Sequence, residues 1–261
     1  MLHALGLGLA VILEIAYVCI WSAAYYYQLY MMVTLKSGKG FSLDYQYLST
    51  VSMGFYACYN TYFFFSKAPS FYALIDMLFS VHATAIHAVL ICLTYRYPRG
   101  INRVHGSIIW VISIMLCLIA VYYLLGVKLA IDSINGFFLY LACSKINFSV
   151  VKYLYQIFLS YERKSTKGYS IVYVACNLVG ASLSVAQLLA EKAVDARGRF
   201  NYPKMALGLI TMSFELGFMY QHYVLYGPEN ILEDVSLMEA EGLSVELEDK
   251  NDAAEALIEH K

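Results

Sequence analysis

Seven stretches of the chain, 7–34, 43–65, 71–95, 106–126, 134–160, 169–190 and 205–226, are apolar over roughly the ~20 residues a helix needs to cross ~30 Å of hydrocarbon. The pattern predicts seven transmembrane helices. The second and fifth are the weakest, being interrupted by Ser, Asn, Gln and Lys. Pro69, Pro98, Pro203 and Pro228 all fall between or after the stretches, where helix-breaking residues belong. The first stretch lacks a basic leader and is too long for a cleavable signal, so it is read as the first membrane helix.

Composition strengthens the membrane reading. Of 261 residues, 60% are hydrophobic and 14% charged, with a mean hydropathy of +0.58, against about half and a quarter for a soluble domain. The six cysteines (19, 58, 92, 117, 143, 176) lie within apolar stretches and read as small buried hydrophobes. With no nucleophile–base spacing and no metal-ligand cluster, no enzyme, metal, cofactor or nucleic-acid partner is expected. Eleven of the nineteen acids lie in residues 229–261, a solvated tail read as disordered. Alternate loops carry eight basic residues against six. The positive-inside rule then places the N-terminus outside and the tail in the cytosol.

One phrase occurs twice. YYYQLYMMVTLKSGKGFS (25–42) and YLYQIFLSYERKSTKGYS (153–170) share eight identities in eighteen ungapped positions at an offset of 128. Four crossings separate the copies, so both face the same way. The pattern predicts an all-α polytopic membrane protein: two parallel three-helix bundles joined by helix four, with the substrate site between them. The repeats would span about 7–95 and 134–226, joined by 106–126 within a 1–228 transporter domain. Gln28 and Gln156 are amides in a membrane helix and need partners, as helix glue or as ligands. The turns holding Lys36, Gly40, Lys164 and Gly168 are hinge candidates with glycine supplying the tight bend, and Ser42 and Ser170 are candidate N-caps.

The doubled glutamine and basic turn resemble the PQ-loop family of membrane transporters, and within it the cystinosins. The likeness runs through WSAAYYYQ (21–28), GFSLDY (40–45), DMLFSVHA (76–83), Lys145 and Lys152 ahead of YLYQ, KSTKGYSI (164–171), GASLSVAQLL (180–189), NYPK (201–204) and FELGFMYQHYVLY (214–226). It implies a lysosomal cystine carrier driven by proton symport, with the lipid bilayer, a small-molecule substrate and protons as partners. Three departures stand out. Tyr27 and Tyr155 replace the prolines of both "PQ" pairs, no counterpart of the family's large luminal domain is expected before helix one, and Asn177 stands at the family's helix-six aspartate. Its repeat equivalent is Ser49.

Charges inside membrane segments are costly and mark function by default. Glu14, Asp76, Lys145, Lys152 and Glu215 are of this kind, with His82 and His222 on the helices of two of the acids. Lys145, Lys152 and Gln156 share one helical stripe, and Glu14, Trp21 and Gln28 another. Cations and acids in one cavity suit a zwitterion; each also suits a structural ion pair. The expected substrate-binding set is Trp21, Gln28, Ser49, Lys145, Lys152, Gln156, Tyr173, Asn177 and Lys204. Asp76, Glu215, Glu14, His82 and His222 are the proton-coupling candidates. Glu233, Leu237 and Met238 fit an acidic dileucine-type signal for sorting adaptors. The alternatives are a PQ-loop carrier of cationic amino acids or sugars, and a non-transporting receptor or scaffold.

Overall fold

A computed structural model describes residues 2–66, 71–127, 134–194 and 202–227. The acidic tail, with Glu233, Leu237 and Met238, lies outside the described residues, as do Lys67, Pro69, Lys128 and Pro228. Seven α-helices are present among the described residues: α1 (Leu2–Thr34), α2 (Leu43–Ser66), α3 (Phe71–Arg96), α4 (Gly106–Val121), α5 (Ile134–Arg163), α6 (Ile171–Val194) and α7 (Tyr202–Tyr220). α4 and α7 each run on into a π-helical turn, Tyr122–Val127 and Gln221–Leu225.

Five of these helices are long and apolar enough to cross a membrane: Gly8–Thr34, Ala73–Arg96, Gly106–Gly126, Ile134–Arg163 and Ile171–Ala193. α2 and α7 do not reach that apolarity. The reason is visible in α2, where Asp44, Gln46, Ser49, Ser52 and Asn60 are polar but buried against protein. Elsewhere hydroxyls satisfy themselves on the preceding turn. Thr84, Thr94, Ser182 and Ser213 each donate to the carbonyl four residues back, which removes a donor from the surrounding medium.

The packing repeats. α1 packs chiefly on α6, and α5 on α2; α3 lies against α2 and α1, and α7 against α6 and α5. Among the described residues, α4 makes slight contacts with α2 and α5 and stands at the margin of the packing. The two repeated phrases form the α1–α2 and α5–α6 turns, which meet at one end of the molecule, here the loop end. Ser42 and Ser170 cap α2 and α6 through Oγ, accepting from the N–H of Tyr45 and Tyr173 at 3.3 and 3.1 Å.

The bends follow the glycine pattern in the second turn but not in the first, and in both a lysine shares the work. Lys36 and Lys164 take the left-handed conformation, at φ +44° and +52°. Gly168 is left-handed as well, at φ +87°, whereas Gly40 is not. Gly40 is required for space instead: a Cβ there would lie 2.1 Å from the Lys167 carbonyl oxygen and 2.5 Å from the Gly168 Cα.

Positions related by the offset of 128 touch one another at this end. Gly40 abuts Gly168, Phe41 stacks on Tyr169 with ring centroids 5.6 Å apart, and the hydroxyls of Tyr45 and Tyr173 are 3.0 Å apart. A residue that touches its own counterpart lies on the axis relating the repeats, so these three pairs trace it. The four aromatic members of these pairs belong to the main core cluster, together with Tyr25, Phe79, Tyr153 and Phe218.

Candidate functional site

Past Tyr45 and Tyr173 the axis opens into a cavity of about 40 Å3. Its walls are aromatic, from Trp21 and Tyr25 of α1, Tyr45 of α2, Phe79 of α3, Tyr153 of α5 and Tyr173 of α6. Its polar groups are Lys145, Lys152, Asn177 and Thr211. Trp21 stacks on Phe79 at 5.8 Å and sits on Gly180, where a Cβ would lie 2.6 Å from the indole Nε1. Gly180 thus lets α6 come close enough for the indole to face the cavity. A second cavity of about 100 Å3 shares Lys145 and Leu207 with the first and adds Tyr56, Tyr59, Asp76 and Lys204.

The two lysines are held in an unusual way. Lys145 Nζ lies 3.7 Å from the centroid of the Tyr56 ring; Lys152 Nζ lies 4.7 and 4.9 Å from Tyr45 and Tyr153. Both residues are only 7% exposed. The ion pairs found among the described residues use neither of them. A cation–π contact is worth ~2 kcal/mol when desolvated, less than the cost of burying an ammonium. Each lysine therefore keeps a strong capacity for an anion. Glu215 of α7 is fully buried, with Tyr153 and Asn177 beside it and the Lys152 charge acting on it. Neither of its oxygens has a hydrogen bond of ordinary geometry.

The expected residues separate into groups. Trp21, Lys145, Lys152, Tyr173 and Asn177 share the first cavity, and Asp76, Lys145 and Lys204 share the second. Glu14 joins α1 to α7: Tyr17 donates to it at 2.6 Å and Lys204 lies 3.5 Å from its other oxygen. This is the ion-pair alternative for that acid. Ser49 is buried on α2 with no partner for its Oγ and does not line either cavity. His82 meets the Tyr26 hydroxyl at 2.9 Å on the outer face, and His222 meets Thr166 Oγ1 at 2.7 Å at the loop end. The structure thus brings neither histidine to the cavities.

Gln28 and Gln156 also lie away from the cavities, and each grips the turn of the opposite repeat. Gln28 accepts from the Ser170 N–H at 2.9 Å and donates to the Gly168 carbonyl at 3.2 Å. Gln156 accepts from the Ser42 N–H and donates to the Gly40 carbonyl, both at 2.9 Å. Each amide thus uses its oxygen and nitrogen on two backbone groups that a turn buried in protein would otherwise leave unsatisfied.

Sequence reasoning missed His87, fully buried with its ring edge-on to Tyr25 at 4.9 Å. The offset of 128, extended from the turns to α3 and α7, pairs it with Glu215 and is the signal that would have found it. It also missed the Asp44–His105 pair, which ties the start of α4 to α2. No spacing in the chain announces that pair.

Comparison with known proteins agrees with the repeated phrase. The PQ loop repeat family matches residues 137–196, the stretch holding the second copy. The chain is 28% identical to a cystinosin homolog of Caenorhabditis briggsae over 238 residues, covering 84% of this chain and 58% of that protein. It is 29% identical to a cystinosin of Drosophila melanogaster over 228 residues, 80% of this chain and 56% of that one. A cystinosin homolog of Arabidopsis thaliana is 26% identical over 233 residues, 81% and 83% of the two chains. The chain thus spans less than two thirds of the two animal relatives and most of the plant one. The resemblance to cystinosins and the PQ-loop pattern stand on both sequence and comparison.

Proposed function

We propose that the chain is a PQ-loop membrane transporter that carries L-cystine, or a related zwitterionic amino acid, by alternating access. The observation that carries the reading is the pair of buried lysines on aromatic faces, Lys145 and Lys152, in a cavity on the repeat axis. Carboxylates are the natural partners of such cations, and Asp76 in the adjoining cavity suits an ammonium. Cystine has two of each group. Sugars offer only hydroxyls and need no cations, and a cationic amino acid would meet repulsion from both lysines.

The finer parts of the proposal follow from the resemblance to cystinosins. All seven helices span the membrane as two parallel three-helix bundles joined by α4. The carrier sits in the lysosomal membrane with its N-terminus luminal and the loop end cytosolic, exporting substrate with protons. The acidic tail supplies an address for sorting adaptors. With Asn177 in place of a carboxylate, an amide that cannot exchange a proton, Glu215 is the acid nearest the cavity to take the coupling role, and Asp76 the next.

The experiment is uptake into proteoliposomes of labelled cystine, lysine, arginine and glucose at pH 5 and 7. Cystine should be carried, faster with the acidic side facing the substrate, and Lys152→Met should abolish it. Preferred uptake of glucose, or undiminished cystine uptake in Lys152→Met, would overturn the reading.

A further inference from the structure

Two titratable side chains are fully buried without a hydrogen bond of ordinary geometry: His87 on α3, neither of whose ring nitrogens has a partner, and Glu215 on α7, which has Tyr153 and Asn177 beside it. They are 128 residues apart, the offset of the repeat. The repeat thus places an imidazole in one half where it places a carboxyl in the other. At Ser49 and Asn177, the pair nearer the turns, neither repeat has a group that titrates.

An unpartnered imidazole is costly inside a protein, because at least one ring nitrogen always presents a donor or a lone pair. Packing alone does not account for it. The ring rests edge-on against Tyr25, a contact that a phenylalanine would make without a polar atom to strand. The unused capacity of His87 leaves the ring free to act in another step of the working cycle.

The surroundings indicate which step. Among the described residues, the one charge acting on the imidazole is the ammonium of Lys152, which also acts on Glu215. The other ionisable groups of this cluster are the phenols of Tyr25 from α1, Tyr45 from α2, Tyr153 from α5, Tyr169 from the α5–α6 turn and Tyr173 from α6, with the Cys176 thiol packed against them. On α3 itself, Asp76 belongs to the second cavity and His82 to the outer face. Lys152 and Glu215 face one another here as one cation and one carboxylate, while Lys145, which lines the same cavity, is shared with Asp76 in the second. A proton on His87 would set a second cation beside Lys152, and a carboxylate arriving in the cavity would offset it. Proton and substrate carboxylate then stabilise one another, and that mutual stabilisation is reciprocal by thermodynamic necessity.

We propose that His87 is a proton-binding residue of the transport cycle, taking up a proton from the side to which the cavity opens as a substrate carboxylate docks against Lys152. It does in repeat one what a carboxyl does at the matching position of repeat two. The inference rests on the reading of the cavity as a site for zwitterionic substrate, and it assigns a residue the resemblance to cystinosins does not.

The test compares wild type with His87→Asn and His87→Gln, which keep a hydrogen-bonding group at one or other ring position but cannot titrate. Cystine uptake into proteoliposomes is measured for KM between pH 5 and 7, with melting temperature to verify folding. Wild-type KM should rise about tenfold as the pH rises, and the amide variants should flatten that rise to about twofold. Calorimetry of cystine binding to wild type in buffers of different ionisation enthalpy should show net proton uptake, a measurement that needs no variant to fold. Folded variants with the wild-type KM profile, or binding without proton uptake, would overturn the role of His87 and leave the carrier reading standing. Wild type that carries no amino acid would overturn both.

Discussion

The loop end and the cavity lie next to each other on one axis and are built on opposite principles. At the loop end the repeats match residue for residue, through Gly40 with Gly168, Phe41 with Tyr169, Tyr45 with Tyr173 and the crossed grips of Gln28 and Gln156. Packing is tight there and the amides use both of their polar atoms. One turn further in the repeats stop matching, as Ser49 against Asn177 and His87 against Glu215. There the structure carries stranded polar atoms and ammonium groups resting on rings. Stability is concentrated where the symmetry holds. Chemistry is concentrated where it fails, as expected if sites violate local rules that the rest of the fold obeys.

The contrast can be broken at four points. Gly40→Ala should do the most damage, because its Cβ would collide with backbone rather than a yielding side chain. A loss of more than ~3 kcal/mol is expected, seen as a collapse of folded yield in detergent. A melting temperature close to wild type would mean the turns are not tightly packed. Gln28→Leu and Gln156→Leu should each cost ~2–4 kcal/mol by stranding a buried N–H and carbonyl, and the two costs should be similar. Thermal melts differing greatly between them would break the symmetry argued for this end.

The cavity layer should respond in the other direction. His87→Phe removes two unpartnered atoms at little change in shape and should raise stability by ~1–2 kcal/mol. A lower melting temperature would show that the imidazole is held by something structural. The smallest effect is expected from Tyr173→Phe, which removes the 3.0 Å contact with Tyr45 and should cost ~1 kcal/mol. A double-mutant cycle with Tyr45→Phe measures whether that energy belongs to the pair.

Much of the architecture was legible in the chain. Apolar length marks the helices, and the doubled phrase locates both turns and their capping serines. The lysine stripe of Lys145 and Lys152 faces inward because such charges reject lipid. Two things were hidden for physical reasons. The partners of Gln28 and Gln156 are backbone atoms more than a hundred residues away, and nothing local announces a contact made across that separation. Beside Gly168, two lysines of the turns, Lys36 and Lys164, are left-handed, where propensity points to glycine; tertiary packing overrides it. His87 was hidden for a simpler reason, since a lone histidine in an apolar helix reads as core until its counterpart is placed.

The crossed amides also bear on how the chain assembles. Ser42 N–H and Gly40 carbonyl acquire their partner only when Gln156 has been made, 114 and 116 residues later. Until then the first turn has two backbone groups that only water or a chaperoning surface can satisfy. The first half of the protein is therefore an unfinished intermediate, however well its three helices pack, and contacts so distant in sequence close slowly. The second half completes the first at the same moment that it is completed by it.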